Sequence, residues 1–135
     1  MKKYLMVLAA SGICLLGISA VLLRGLPAKG PAFRTVHLFN FGSEQEEKRL
    51  LAVLGEFNQL FAKMGHPNIR YRLWRVQGQQ AGEFAYLHES TWPDLATYDS
   101  VHKDAAYVKL LDKHLPFLRQ VLKNEVYNRY LEIGP

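Results

Sequence analysis

Five histidines, His37, His66, His88, His102 and His114, are the side chains of this sequence best suited to moving protons, because an imidazole titrates near neutral pH. None pairs with another at the close spacing of a metal site, HxH or HxxxH, and residues 31–135 contain no cysteine, so no metal is expected. His66 lies in Gly65-His66-Pro67 and reads as a turn residue. His88 and Glu89 are adjacent, so on a strand they face opposite ways and only one can line a given pocket. Tyr86, Trp92 and Tyr98 offer flat apolar bodies with polar tips, which suits stacking on a flat ligand. There is no Gly-rich phosphate loop and no GxSxG elbow.

The elements that would hold these residues can be read from periodicity. Phe33 to Phe41 alternates as a strand, with Thr35, His37, Phe39 and Phe41 opposite Val36, Leu38 and Asn40. After Gly42, Ser43 to Glu46 has the form of a capping box that starts a helix. Leu50, Leu54, Phe57, Phe61 and Met64 then recur at helical spacing, with Leu51, Val53 and Leu60 widening the stripe, until Gly65 and Pro67 end it. Ile69 to Val76 and Phe84 to Glu89 alternate again across the polar turn 77–82, which predicts an antiparallel hairpin.

Ser90 to Asp94 reads as a second helix start. That helix is expected to carry Tyr98, Val101 and Leu111 on one face and to break near Pro116, with a short turn over Phe117 to Leu122. Glu125 to Ile133 is the last strand. The order β-α-β-β-α-β predicts an α+β, ferredoxin-like domain. Two helices cover one face of such a sheet, and the other face still carries large apolar residues, so a second copy of the chain is expected to cover it.

With 135 residues, 49% hydrophobic and 21% charged, the chain has room for one globular domain. Its net charge of +5 is unevenly placed. Lys2, Lys3, Arg24 and Lys29 stand among residues 1–30 without an acid, leaving 13 basic and 12 acidic side chains for residues 31–135. No nucleic-acid partner is expected, although Arg70, Arg72 and Arg75 alternate with Tyr71 and Trp74. These arginines are expected in solvent and in cross-strand ion pairs.

Tyr4 to Leu23 is a run of 20 residues without a charge, about 30 Å as a helix. Residues 1–24 are therefore expected to be a cleaved signal peptide or an uncleaved membrane anchor, with the membrane engaged through residues 4–23. Residues 25–32 form a linker and 33–135 the domain. Both alternatives place the domain outside the cytoplasm. Cys14 lies inside the apolar run, and no lipidation is expected there.

From Arg34 to Ile133 the chain resembles the dimeric α/β-barrel superfamily. The resemblance rests on the element order, on His37 in the first strand, on His88-Glu89 at the hairpin end, and on the run Trp92, Tyr98, His102 and Tyr107. Within the superfamily it is similar to antibiotic-biosynthesis-type monooxygenases and to stress-responsive barrel proteins. Two residues separate Glu89 from Trp92, where the monooxygenase pattern usually has one. The resemblance implies a homodimer of ferredoxin-like protomers that binds a small aromatic or hydrophobic molecule between sheet and second helix. It further implies a monooxygenase without cofactor, with His102 as catalytic base and His37, Asn40, Tyr86, His88, Trp92 and Tyr98 around the ligand. Haem degradation is not expected, because Val101 and Leu111 stand where that branch places its Trp and His. The competing expectation is a non-catalytic homodimeric interaction module at the membrane.

Overall fold

The computed structural model describes residues 31–78 and 83–134. The expectations for the leader, the linker up to residue 30 and Cys14 lie outside the described residues. The chain order is β1 (Phe33–Phe39), α1 (Glu44–Lys63), β2 (Tyr71–Arg75), β3 (Tyr86–Trp92), α2 (Leu95–Lys103), α3 (Ala105–Val121) and β4 (Val126–Leu131). The four strands make one antiparallel sheet in the order β2-β3-β1-β4. This is the ferredoxin-like fold, with its helices on one face of the sheet.

Local chemistry sets each boundary. Ser43 caps α1, its Oγ accepting from Glu46 N at 3.3 Å. The Glu46 carboxylate reaches one residue beyond the cap and accepts from Gly42 N at 2.7 Å. At the other end Gly65 adopts φ +85°, and Gly65 N and His66 N donate to the carbonyls of Ala62 and Phe61. That pair of bonds is a Schellman close, and its left-handed position favours glycine. Leu50, Val53, Leu54, Phe57 and Phe61 are the buried face of α1, while Leu51 lies half-exposed toward solvent.

Two sequence expectations are corrected around the second helix. Ser90, Thr91 and Trp92 extend β3 and do not cap a helix. They pair with Thr35, Arg34 and Phe33, and the ladder together with complete burial of Trp92 outweighs the local capping signal. Asp94 is the cap, its carboxylate accepting from Thr97 N at 2.6 Å. The helical segment breaks at Asp104 (φ −65°, ψ 135°), whose carboxylate accepts from Ala106 N and Tyr107 N and starts α3. Helix α3 continues through Pro116 and absorbs Phe117 to Val121, because Phe117 and Val121 are anchored in the core beyond the missing N–H.

The core lies between the sheet and α1 and α3. Phe33, Phe39 and Trp92 from the sheet meet Phe57, Phe61, Tyr107 and Phe117 from the helices. On the opposite face of the sheet Trp74, Val126 and Tyr130 are exposed, and a shallow depression of about 620 Å³ is lined by Val36, Leu38, Leu87, Tyr130 and Leu131. Glu89 lies on this open face but is only 8% exposed. Its carboxylate accepts from the Trp74 indole N–H at 3.1 Å and pairs with Arg34 at 3.3 Å and Arg72 at 3.9 Å. Arg72 therefore takes the cross-strand ion pair expected of it.

Candidate functional site

Strand pairing assembles the site. In the register, Tyr127, His37, His88 and Leu73 form one rung across all four strands, and Arg129, Thr35, Ser90 and Tyr71 form the next. All of these side chains except those of Leu73 and Ser90 point toward a cavity of about 410 Å³ beneath the helices or form its wall. Leu50, Leu54 and Phe57 of α1 and Leu111 and Leu118 of α3 supply an apolar roof. Tyr98 and His102 come from α2 and Tyr107 from α3. The volume is that of a small-molecule site.

Three imidazoles share this cavity in three different states of satisfaction. His102 Nδ1 lies 2.7 Å from the Tyr98 carbonyl oxygen. A carbonyl only accepts, so Nδ1 carries the proton and Nε2 is the basic nitrogen of the neutral ring. Burial pushes the His102 pKa below its ordinary value, so the ring is neutral at pH 7. His37 Nδ1 bonds the Glu125 carboxylate, which fixes its orientation in the same way. The His37 ring sits between Tyr127 and His88, with centroids 4.6 Å and 5.0 Å away.

His88 differs from both. It is 8% exposed and its Nε2 has no hydrogen-bond partner among the described residues. Burial, reinforced by repulsion from the neighbouring His37 ring, pushes its pKa down to about 3, so the ring is neutral.

The tyrosines are proton donors here. Burial and the Tyr127 hydroxyl raise Tyr98 to about 12, and burial raises Tyr71 and Tyr107. The Tyr71 and Tyr107 hydroxyls bond each other at 2.9 Å. With the Glu125 carboxylate occupied by His37 and the phenols protonated, a neutral imidazole is the base the cavity offers a ligand. Arg129 Nε donates to Tyr127 Oη at 2.8 Å and Nη2 to Tyr98 Oη at 3.3 Å, with the guanidinium 4.9 Å over the Tyr98 ring.

The structure therefore brings His37, His88, Tyr98 and His102 into one cavity and leaves Asn40, Tyr86 and Trp92 outside it. Asn40 clamps backbone, donating to the Glu83 carbonyl and accepting from Ala85 N, and so spends its amide on holding β1 to the start of β3. The Tyr86 hydroxyl donates to Glu47 at the surface near the α1 N-terminus. Trp92 is fully buried beneath the site, where its indole N–H donates to Ser90 Oγ and its ring supports His102 at 5.1 Å. His66 lies in the turn after α1. His114 bonds Glu56 between α1 and α3, away from the cavity.

Glu125, Tyr127 and Arg129 are cavity residues that sequence reasoning did not single out. Alternation had already put Tyr127 and Arg129 on one face of the last strand; what was lacking was the identity of the strand beside it. Among the described residues no group of three or more His, Cys, Asp or Glu is placed to hold a metal ion.

No family profile matches the sequence, and no curated protein sequence is significantly similar to it. Solved structures do match. A hydroxynitrile lyase from Passiflora edulis superposes with a TM-score of 0.57 at 13% identity, covering 78% of this chain and 97% of that one. A dimeric ferredoxin-like protein of unknown function from Thermobifida fusca gives 0.54 at 12% identity, covering 76% and 92%. A DABB-family protein with a ferredoxin-like fold from Mesorhizobium loti gives 0.53 at 13% identity, covering 77% and 99%. The fold is that of the dimeric ferredoxin-like proteins the sequence resembles.

Proposed function

We propose that this domain is a homodimer that binds a small, flat, largely apolar molecule in the cavity between sheet and helices and removes a proton from it, with His102 as the base. The observation that carries the reading is the His102 ring: its Nδ1 is tied to a carbonyl, leaving a basic Nε2 in a cavity whose phenols are too weakly acidic to act as bases. Aromatic walls from Tyr98, Tyr107 and Tyr127 suit a planar ligand.

In the oxygenase form of this reading, the deprotonated ligand itself supplies electrons to dioxygen. A ring CH₂ becomes C=O, one oxygen atom is retained, and the other leaves as water with the two hydrogens. The chain's part is to bind the ring, take the first proton at His102 Nε2 and exclude bulk water. A fold neighbour named as a hydroxynitrile lyase supports enzymatic use of this architecture.

The dimer reading is supported by the uncovered apolar face of the sheet and by fold neighbours that are dimeric ferredoxin-like proteins. The apolar run 4–23 extends the proposal to a domain exported from the cytoplasm or tethered at a membrane. A non-catalytic interaction module would account for the open face but not for an open cavity with three imidazoles.

Native mass spectrometry of the full chain, purified from its own host in detergent, tests the reading. A dimer that releases a small-molecule adduct supports it and identifies the ligand. A monomer removes the dimer, and a dimer with no adduct and no binding of phenol removes the ligand site.

A further inference from the structure

The cavity presents two polar groups that a ligand could engage, His88 buried within the sheet and Arg129 on the exposed edge strand. His88 is the deep one: a buried ring nitrogen without a partner is rare in native structures and calls for one delivered from outside. A hydroxyl meets that demand in either imidazole tautomer, because it can both donate and accept.

Arg129 is the other. Two of its donors are held by the hydroxyls of Tyr127 and Tyr98, which aim the guanidinium over the cavity wall, and no carboxylate among the described residues pairs with it. The cavity's own acid, Glu125, is already taken by His37 Nδ1. A planar fork with donors to spare is the geometry that holds a carboxylate by two parallel bonds.

The space between the two ends is walled by rings. His88, His37 and Tyr127 follow one another across three adjacent strands, so their backbones span roughly 10 Å, two strand spacings. Both side chains line the cavity, and an aromatic ring with substituents on opposite sides fits between them, with room in the 410 Å³ for further substituents.

We infer that the ligand class is an aromatic hydroxy acid, with its hydroxyl against His88 and its carboxylate against Arg129. This rests on the cavity being the ligand site proposed above and specifies what that site takes.

Isothermal titration of the full chain with 4-hydroxybenzoate, phenol and benzoate tests it. The hydroxy acid binds about tenfold more tightly than phenol, the worth of one charge-assisted hydrogen bond, and about fivefold more tightly than benzoate, the worth of one neutral bond. Arg129→Gln brings 4-hydroxybenzoate down to the level of phenol, and Arg129→Lys restores part of the preference by keeping charge without the fork. His88→Leu brings 4-hydroxybenzoate down to the level of benzoate. In the unsubstituted protein, the side-chain ¹⁵N resonance of His88 Nε2 shifts when phenol binds.

Equal affinity for phenol and 4-hydroxybenzoate overturns the carboxylate subsite while leaving the ligand site standing. Equal affinity for benzoate and 4-hydroxybenzoate, with an unmoved His88 resonance, overturns the deep hydroxyl. Binding of none of the three overturns both the class and the site.

Discussion

His102 lies flat against Tyr98, with 3.8 Å between ring centroids, while its Nδ1 donates to the carbonyl oxygen of that same residue. One helical turn of α2 thus fixes both the plane and the tautomer of the ring. Trp92 and Tyr107 close on its other sides at 5.1 Å and 4.5 Å. A base held this way needs no reorganisation before it accepts a proton.

His102→Gln keeps the polar contact to Tyr98 but cannot take up a proton. Turnover of the ligand recovered from the protein is expected to fall at least about 100-fold, within the range of a lost general base, with the dimer intact. The pH–rate profile of the unsubstituted protein has an acid limb below 6.5, because burial lowers the His102 pKa and activity needs the neutral ring. Unchanged turnover in the variant would take His102 out of the chemistry.

Replacing His88 by Phe removes an unsatisfied buried nitrogen and keeps a flat ring of similar shape. The variant is expected to be about 1–3 kcal/mol more stable to denaturant while losing affinity for phenol. A site that retains a costly polar group for its ligand shows this exchange. A destabilised variant that still binds phenol would mean that His88 is a packing residue.

Stability should fall on mild acidification. The folded state holds His88 near pKa 3 and the unfolded chain near 6.5, so between these values the unfolded state binds the proton that the folded state refuses. The loss is at most about 1.4 kcal/mol per pH unit across that window, and His102 acts with the same sign. The lowered carboxyls of Glu47 and Glu56 lose their contribution only below their unfolded value of 4.5. Urea titrations at pH 7 and 5 therefore report on histidines. The slope should flatten in His88→Phe, and an equal slope in both proteins would contradict the assignment.

Ser90 Oγ lies 2.6 Å from both Thr35 Oγ1 and Trp92 Nε1, in a site without solvent. Ser90→Ala strands two buried polar groups and is expected to cost about 1–3 kcal/mol, and Trp92→Ala about 3–5 kcal/mol. Equilibrium unfolding measures both. A Trp92 variant of near-native stability would return that residue to the ligand wall.

Leu38 sits in the depression on the open sheet face. Leu38→Asp should give a folded monomer by light scattering, with an unchanged far-ultraviolet spectrum. A dimer that persists would place the interface elsewhere.

The legible parts of this molecule were those decided within one element. The α1 stripe, its Ser43 cap and its Gly65 close all follow from contacts within four or five residues. The misread parts were those where a distant partner outbid a local signal. Ser90 and Thr91 carry hydroxyls that suit a cap, yet Phe33 to Thr35 offered them a ladder and the core took Trp92. Pro116 looked like a stop, yet Phe117 and Val121 found burial beyond it and the break fell at Asp104. Asn40 looked available for a ligand, but the adjoining start of β3 presented a carbonyl and an N–H that its amide could satisfy.

The sequence by itself determined which side chains share a face, because a strand's alternation is a property of its own backbone. It put Thr35 with His37, Tyr86 with His88, and Tyr127 with Arg129. Only the tertiary structure decided which rungs meet. Register is set by pairing between segments far apart in the chain, and sliding one strand by two residues keeps every face while changing every neighbour. The pairing of His37 with His88 on one side and Tyr127 on the other is such a choice. From it follow the orphaned nitrogen, the Glu125 contact at the strand's start and the reach of Arg129 to Tyr98.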